Sequence, residues 1–134
     1  MKRGVLYADG ACRGNPGPAG SGAALVDGDG HVVAEAMRYL GPGTNNVAEY
    51  TALIIGLEEA WRHEVEDIEI RMDSKLVVEQ MNGKWRVRDA KLRPLADRAR
   101  ELLARFPTWK LRHIPRDQNA VADLLANRAI DEVR

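Results

Sequence analysis

The chain predicts an α/β fold built on a five-strand mixed sheet with helices on both faces. Three observations lead there. The first forty residues read as three successive strands, with Asp27-Gly28-Asp29-Gly30 as a hairpin signal between the second and third. A helical period then begins near Asn46. Beyond it, two short alternating segments are each followed by helical ones, the pattern of parallel crossovers. A three-strand antiparallel meander joined to two parallel strands satisfies all three.

Each element has its own warrant. Residues 3–9 alternate weakly and read as a strand. The Gly/Pro-rich run 14–22 reads as a loop. Residues 22–27 and 31–39 are strand-like, and Pro42-Gly43 is expected to break the chain. Val47, Tyr50, Ile54, Leu57 and Trp61 recur at spacings of three and four, one face of a helix that Thr44 or Asn45 can cap. Ile68, Ile70 and Met72 alternate with Glu69, Arg71 and Asp73, so this segment is a strand. Ser74 can cap a short helix through Met81 that Asn82-Gly83 ends. Residues 90–105 form the next helix, with Leu92, Leu95, Ala99, Leu102 and Leu103 inward, and Phe106-Pro107 stops it. Trp109, Leu111 and His113 alternate in the last strand. Asp117 or Asn119 then starts a helix to about Ile130.

A chain of 134 residues fits one domain, spanning 1–134, and its 45% hydrophobic content supplies one ordinary core. Cys12 is the only cysteine, which excludes an internal disulfide framework. No signal peptide or bilayer-length apolar run is found, so a cytoplasmic protein with no membrane partner is expected. The net charge is zero but unevenly spread. Between Lys84 and Arg116 eleven Lys or Arg face three acids, a local +8 against −8 elsewhere. Such asymmetry suits a basic binding face beside an acidic metal site, or a solvated helix rich in arginine.

Four carboxylates stand at the ends of four different elements. Asp9 closes Val5-Leu6-Tyr7-Ala8. Glu49 lies in Thr44-Asn45-Asn46-Val47-Ala48-Glu49. Asp73 precedes Ser74, and Asp123 ends Asn119-Ala120-Val121-Ala122-Asp123. Singly, each has an ordinary reading: a turn former, a helix cap, a dipole partner, an exposed helical residue. Brought together, they would form an oxygen-ligand site for Mg²⁺ or Mn²⁺, suited to phosphate chemistry with two ions about 3.5–4 Å apart.

These four segments, with Asp9-Gly10-Ala11-Cys12-Arg13-Gly14-Asn15-Pro16-Gly17 as the first, resemble the signature blocks of type 1 ribonuclease H across essentially the whole chain. The resemblance implies a ribonuclease H-like fold. It implies Mg²⁺-dependent hydrolysis of the RNA strand of RNA–DNA hybrids, leaving 5′-phosphate and 3′-hydroxyl ends, with Mn²⁺ as a substitute ion. It carries catalytic and metal-binding roles onto Asp9, Glu49, Asp73 and Asp123. It places Cys12, Asn15 and Asn46 against the hybrid's minor groove, where 2′-hydroxyls mark RNA, and Thr44 on a DNA-strand phosphate. His113, ten residues before Asp123, stands where the family has a histidine assisting turnover, although His-Ile-Pro-Arg differs from the usual glycine-rich loop. His31 and His63 have no such correspondence.

One departure concerns substrate grip. Many members insert a long basic protrusion where this chain has only residues 82–89. It is a compact form, in which Trp85 with Lys84, Arg86 and Arg88 can replace the protrusion by combining cations with a ring. Lys75 is a further substrate-contact candidate. Two other functions stay open from sequence: a metal-dependent nuclease of the same fold acting on double-stranded RNA, and a non-catalytic nucleic-acid-binding module. No protein partner is implied, and a monomer is expected.

Overall fold

The computed structural model describes residues 1–133. Five strands, β1 (Arg3–Cys12), β2 (Gly17–Val26), β3 (Val32–Gly43), β4 (Asp67–Met72) and β5 (Thr108–His113), form one sheet in the order β3-β2-β1-β4-β5. β1, β2 and β3 are an antiparallel meander, while β4 lies parallel to β1 and β5 parallel to β4. The helices are α1 (Asn45–Arg62), α2 (Lys75–Met81), α3 (Arg93–Leu103) and α4 (Ala120–Asp131). This is the mixed sheet that the order of sequence signals predicts.

The two faces are covered differently. Alternation in β4 buries Ile68, Ile70 and Met72 in the main core, with Leu6 of β1 and Tyr50, Leu53 and Leu57 of α1. Gly56 of α1 fits this face closely, since a Cβ there would come within 2.8 Å of the Leu6 side chain. α4 covers the opposite face. A Cβ at Gly20 would stand 2.5 Å from the Ala126 carbonyl oxygen, and one at Gly22 2.5 Å from the Ala126 nitrogen.

That approach explains the main difference from the expected elements. Residues 14–22 are not a loop throughout, because β2 begins at Gly17 and pairs Gly17 with Gly43 and Pro18 with Pro42. Glycines 20 and 22 mark the close passage of a helix over a strand rather than a turn. Pro42 likewise does not break β3, which runs to Gly43; β3 is an edge strand, where a missing N–H is tolerated. β1 also extends past Asp9 to Cys12.

Smaller differences concern the helices. α3 starts at Arg93 rather than residue 90, with Pro94 in its first turn, where the missing N–H would be unpaired anyway. Trp61, expected inward, is 45% exposed; its ring meets Phe106 edge-on at 5.8 Å and lies under the Arg105 guanidinium. The final helix is preceded by a 3-10 turn over Arg116–Gln118. Asn119 occupies its N-cap position but makes no side-chain cap bond. Among the described residues no helix is long and apolar enough to cross a membrane.

Candidate active site

Three elements deliver three carboxylates to one point. Asp9 lies inside β1, opposite Gly22 of β2, and is only 3% exposed. Glu49 arrives from the first turns of α1. Thr44 starts that helix, its hydroxyl accepting from the Val47 N–H at 3.4 Å. Gly10 lets the helix lie against β1, because a Cβ there would stand 2.5 Å from both Ala48 C and Glu49 N. Asp73 follows β4, which pairs with β1 up to Ala8 and Met72, and Ser74 caps α2 by accepting from Val77 N–H at 3.3 Å. One carboxylate oxygen from each of Asp9, Glu49 and Asp73 then falls within 4.8 Å of the other two.

The group opens into a cavity of about 440 Å³ lined also by Gly10, Ala11, Cys12, Asn45, Asn46, Ser74, Arg116, Asp123 and Asn127. Asp123 stands apart from the tight threesome, on the first turn of α4. Its Oδ1 accepts from the Asn127 side-chain amide at 3.3 Å. Its charge nevertheless reaches Glu49.

Burial and mutual repulsion oppose full ionisation here. The Asp9 carboxyl is pushed well above the usual carboxylate range, first by burial and then by the charges of Glu49 and Asp73. Glu49 is raised as well, again chiefly by burial; a hydrogen bond with Asp9 and then the Gly10 N–H oppose the rise, and the charges of Asp73 and Asp123 add to it. Glu49 Oε2 is buried without a hydrogen-bond partner. An all-oxygen donor set, convergent like charges and an orphaned carboxylate oxygen fit a hard divalent cation. Asp9, Glu49 and Asp73 would hold it, with Asp123 at the cavity's edge. A second acidic grouping, Asp27, Asp29 and His31, lies on the exposed turn between β2 and β3, where Asp27 Oδ1 is already engaged by the N–H groups of Asp29 and His31.

The other expected residues fall into two groups. Cys12 and Asn46 line the cavity. Cys12 Sγ also lies within hydrogen-bond reach of the Gly14 and Gly43 carbonyls, to one of which its single S–H can donate. Asn15 sits beside them, its Oδ1 accepting from Asn45 N–H at 3.2 Å. Thr44 is the helix cap already described, and Lys75 opens α2 on the surface. Lys84, Trp85, Arg86 and Arg88 are all exposed on the connection from α2 to α3, outside the cavity lining. Among the described residues these three cations have no ion pair, whereas Arg98, Arg100, Arg105 and Arg112 are paired with acids. His113 is exposed at the end of β5 opposite Met72 and does not line the cavity. His31 lies 3.9 Å from Asp27 and His63 3.4 Å from Glu59, and neither lines the cavity.

Residue types alone did not reveal three contributors. Arg116 is the only Lys or Arg lining the cavity among the described residues. Asn119 is 1% exposed, and its amide donates to the Ala8 carbonyl and to Asp73 Oδ1, both at 2.9 Å. It pins the start of α4 to β1 and holds one carboxylate. Asn127 does the same for Asp123. Spacing could have suggested Asn127, four residues beyond Asp123 on one helical face; Arg116 and Asn119 needed the fold.

A family model described as reverse transcriptase-like matches residues 7–129. A protein of Halobacterium salinarum called ribonuclease HI is 52% identical over 94% of this chain and 63% of its own length. Thus the chain spans under two thirds of that relative. The N-terminal RNase H domain of a Mycobacterium tuberculosis protein, solved as a maltose-binding-protein fusion, superposes with a TM-score of 0.95 at 44% identity, covering 98% of this chain and 96% of that one. LC11-RNase H1, solved in complex with an RNA/DNA hybrid, superposes with a TM-score of 0.91 at 40% identity, covering 97% and 98%. With the carboxylate blocks, the sheet order and these relatives in agreement, the chain belongs to the type 1 ribonuclease H family.

Proposed function

We propose that this chain is an endoribonuclease that cuts the RNA strand of RNA–DNA hybrids, leaving 5′-phosphate and 3′-hydroxyl ends, with residues 1–134 acting as one catalytic unit. The observation that carries the reading is the convergence of Asp9, Glu49 and Asp73, from three separate elements, within 4.8 Å in an open polar cavity. Its likeness to a ribonuclease H1 solved with an RNA/DNA hybrid supports the choice of substrate.

Bound at these three carboxylates and at Asp123, two Mg²⁺ ions would lower the pKa of an attacking water and stabilise charge on the phosphoryl and leaving oxygens, with Mn²⁺ as a substitute. The chain's own residues supply the rest. Asp9 and Glu49, whose ionisation burial disfavours, would act as ligands in their deprotonated form. Asn119 keeps the Asp73 carboxylate turned inward. Arg116 is placed to neutralise a phosphate oxygen. Cys12, Asn15 and Asn46 present a polar edge suited to 2′-hydroxyls, with Thr44 beside them for a phosphate of the other strand. His113 assists turnover from the end of β5. Lys75, Lys84, Trp85, Arg86 and Arg88 grip the flanking duplex. The protein works as a soluble monomer in the cytoplasm.

The test is hydrolysis of end-labelled duplexes of roughly two helical turns, offered as hybrid, double-stranded RNA and DNA with Mg²⁺, Mn²⁺ or EDTA. Cleavage confined to the RNA strand of the hybrid and abolished by EDTA is expected. Preferential cutting of double-stranded RNA, or binding without cutting, would replace this reading.

A further inference from the structure

Asp123 is set back from the three close carboxylates, and a chain of polar contacts leads from it to the loop after β1. The Asn127 Nδ2 amide donates to Asp123 Oδ1 at 3.3 Å and to the Asp123 carbonyl at 3.0 Å. On the far side of the same amide, Arg13 Nη2 donates to Asn127 Oδ1 and to the Asn127 carbonyl, each at 3.4 Å. Arg13 Nη1 is anchored to Asp131 at 2.6 Å. The guanidinium has donors only, so its contact forces the amide oxygen toward Arg13 and the NH₂ toward Asp123. Arg13 belongs to the segment joining β1 to β2, which follows Cys12 and carries Asn15.

We propose that Asn127 is a positioning residue for Asp123, and that Arg13 sets the orientation of its amide, so that the loop after β1 and the fourth carboxylate are held in one register. An unsupported Asp123 side chain on the first turn of a helix would sample several rotamers. The Asn127 donor selects the one that faces the cavity. Partners of this kind, which orient a ligand without touching the reacting atoms, cost about 10–100-fold in metal affinity or activity when removed. The proposal rests on the ribonuclease reading for its activity arm alone.

The experiment compares wild type, Asn127→Ala, Arg13→Ala, Asp123→Asn and the Asp123→Asn/Asn127→Ala pair. It measures kcat and KM on the hybrid, and separately the Mn²⁺ concentration giving half the maximal thermal shift of the hybrid-free protein. Asn127→Ala is expected to lower kcat about tenfold with KM nearly unchanged, and to raise the half-effect Mn²⁺ concentration about tenfold. Arg13→Ala is expected to lower kcat by about two- to tenfold, the worth of one hydrogen bond. Adding Asn127→Ala to Asp123→Asn should cost nothing further, because the amide acts only through that carboxylate. Melting curves without divalent ion report whether each variant is folded. A loss carried by KM would make Asn127 a direct substrate contact and overturn the proposal. So would additive losses, or an unchanged Mn²⁺ half-effect. If wild type cuts no hybrid, the ribonuclease reading fails while the Mn²⁺ arm still decides the role of Asn127.

Discussion

Asp73 receives the Asn119 amide at 2.9 Å and shares the cavity with Asp9 and Glu49, so its charge is both oriented and crowded. Asp73→Asn keeps the shape and removes the charge a cation needs. Cleavage of the hybrid is expected to fall to less than about a tenth of wild type, a loss of more than ~1.4 kcal/mol in transition-state stabilisation, with the fold intact by circular dichroism. Greater residual activity would show that Asp73 is not an essential ligand. Asp9 supports a second, pH-dependent expectation. Its folded-state pKa is raised, as is that of Glu49, so the folded metal-free protein holds protons the unfolded chain would release. Stability is then fully present below the ordinary carboxylate range near pH ~4 and is lost as pH rises from there through the folded values, about 8 for Glu49 and about 10 for Asp9. Metal-free Asp9→Asn should be more stable than wild type at neutral pH by about 1 kcal/mol, and the difference should vanish on acidification. Mg²⁺ should raise the wild-type melting temperature by binding the native state. A flat pH profile, with no gain in the variant, would speak against the cluster. Sequence blocks made these carboxylates legible because each sits in a distinctive local context. Arg116 was not legible, since nothing local says that a residue after Ile114-Pro115 will line a cavity that His113 does not. If cavity position decides the role, Arg116→Ala should lower kcat/KM about tenfold or more, the worth of a charged contact to phosphate, and His113→Ala should cost less. The reverse order would make the histidine the larger contributor of the two.

At the scale of elements, the site depends on how closely α1 and α4 approach the sheet. Gly10 is the contact point for α1, and a methyl group there would come within 2.5 Å of its backbone. Gly10→Ala must therefore push the helix outward and carry Glu49 with it. Overpacking of this kind costs about 1–3 kcal/mol, while displacement of a ligand by about 1 Å can cost about 100-fold in rate. A melting shift of a few degrees with near-complete loss of cleavage is expected; full activity would mean that Glu49 does not need its present place. The element order was readable because β4 alternates strictly and α1 repeats at helical spacing. The start of β2 and the end of β3 were not, because glycine and proline signal a turn locally. Here Gly20 and Gly22 serve a helix near the other end of the chain, at Ala126. Asn119 is a similar case: it reads as a cap, yet its amide is drawn to Ala8 and Asp73.

Across the whole molecule, the neutral net charge conceals a division of labour. Four of the twenty acids line the cavity, while the basic excess lies between Lys84 and Arg116. The fold refines that division. On α3, Arg98 pairs with Glu58 and Glu101 and Arg100 with Asp97, so their charge is partly compensated within the protein. The connection before α3 keeps its cations exposed, and Gln80 anchors it by donating to the Arg86 carbonyl at 3.2 Å while accepting from the Tyr50 hydroxyl. A loop held by its backbone, with exposed cations beside a 44% exposed Trp85, suits a duplex backbone better than random surface charge does. Neutralising Lys84, Arg86 and Arg88 together should raise KM more than it lowers kcat, because distant phosphate contacts bind ground and transition states alike. It should also flatten the dependence of log affinity on log salt, by up to about 0.9 for each phosphate no longer neutralised. Replacing Trp85 by Ala should raise KM without altering the salt slope, since an uncharged ring packed on the sugar backbone releases no counterions. An unchanged KM and slope in the triple variant would move the grip to Lys91 and Arg93, the next exposed cations along the chain.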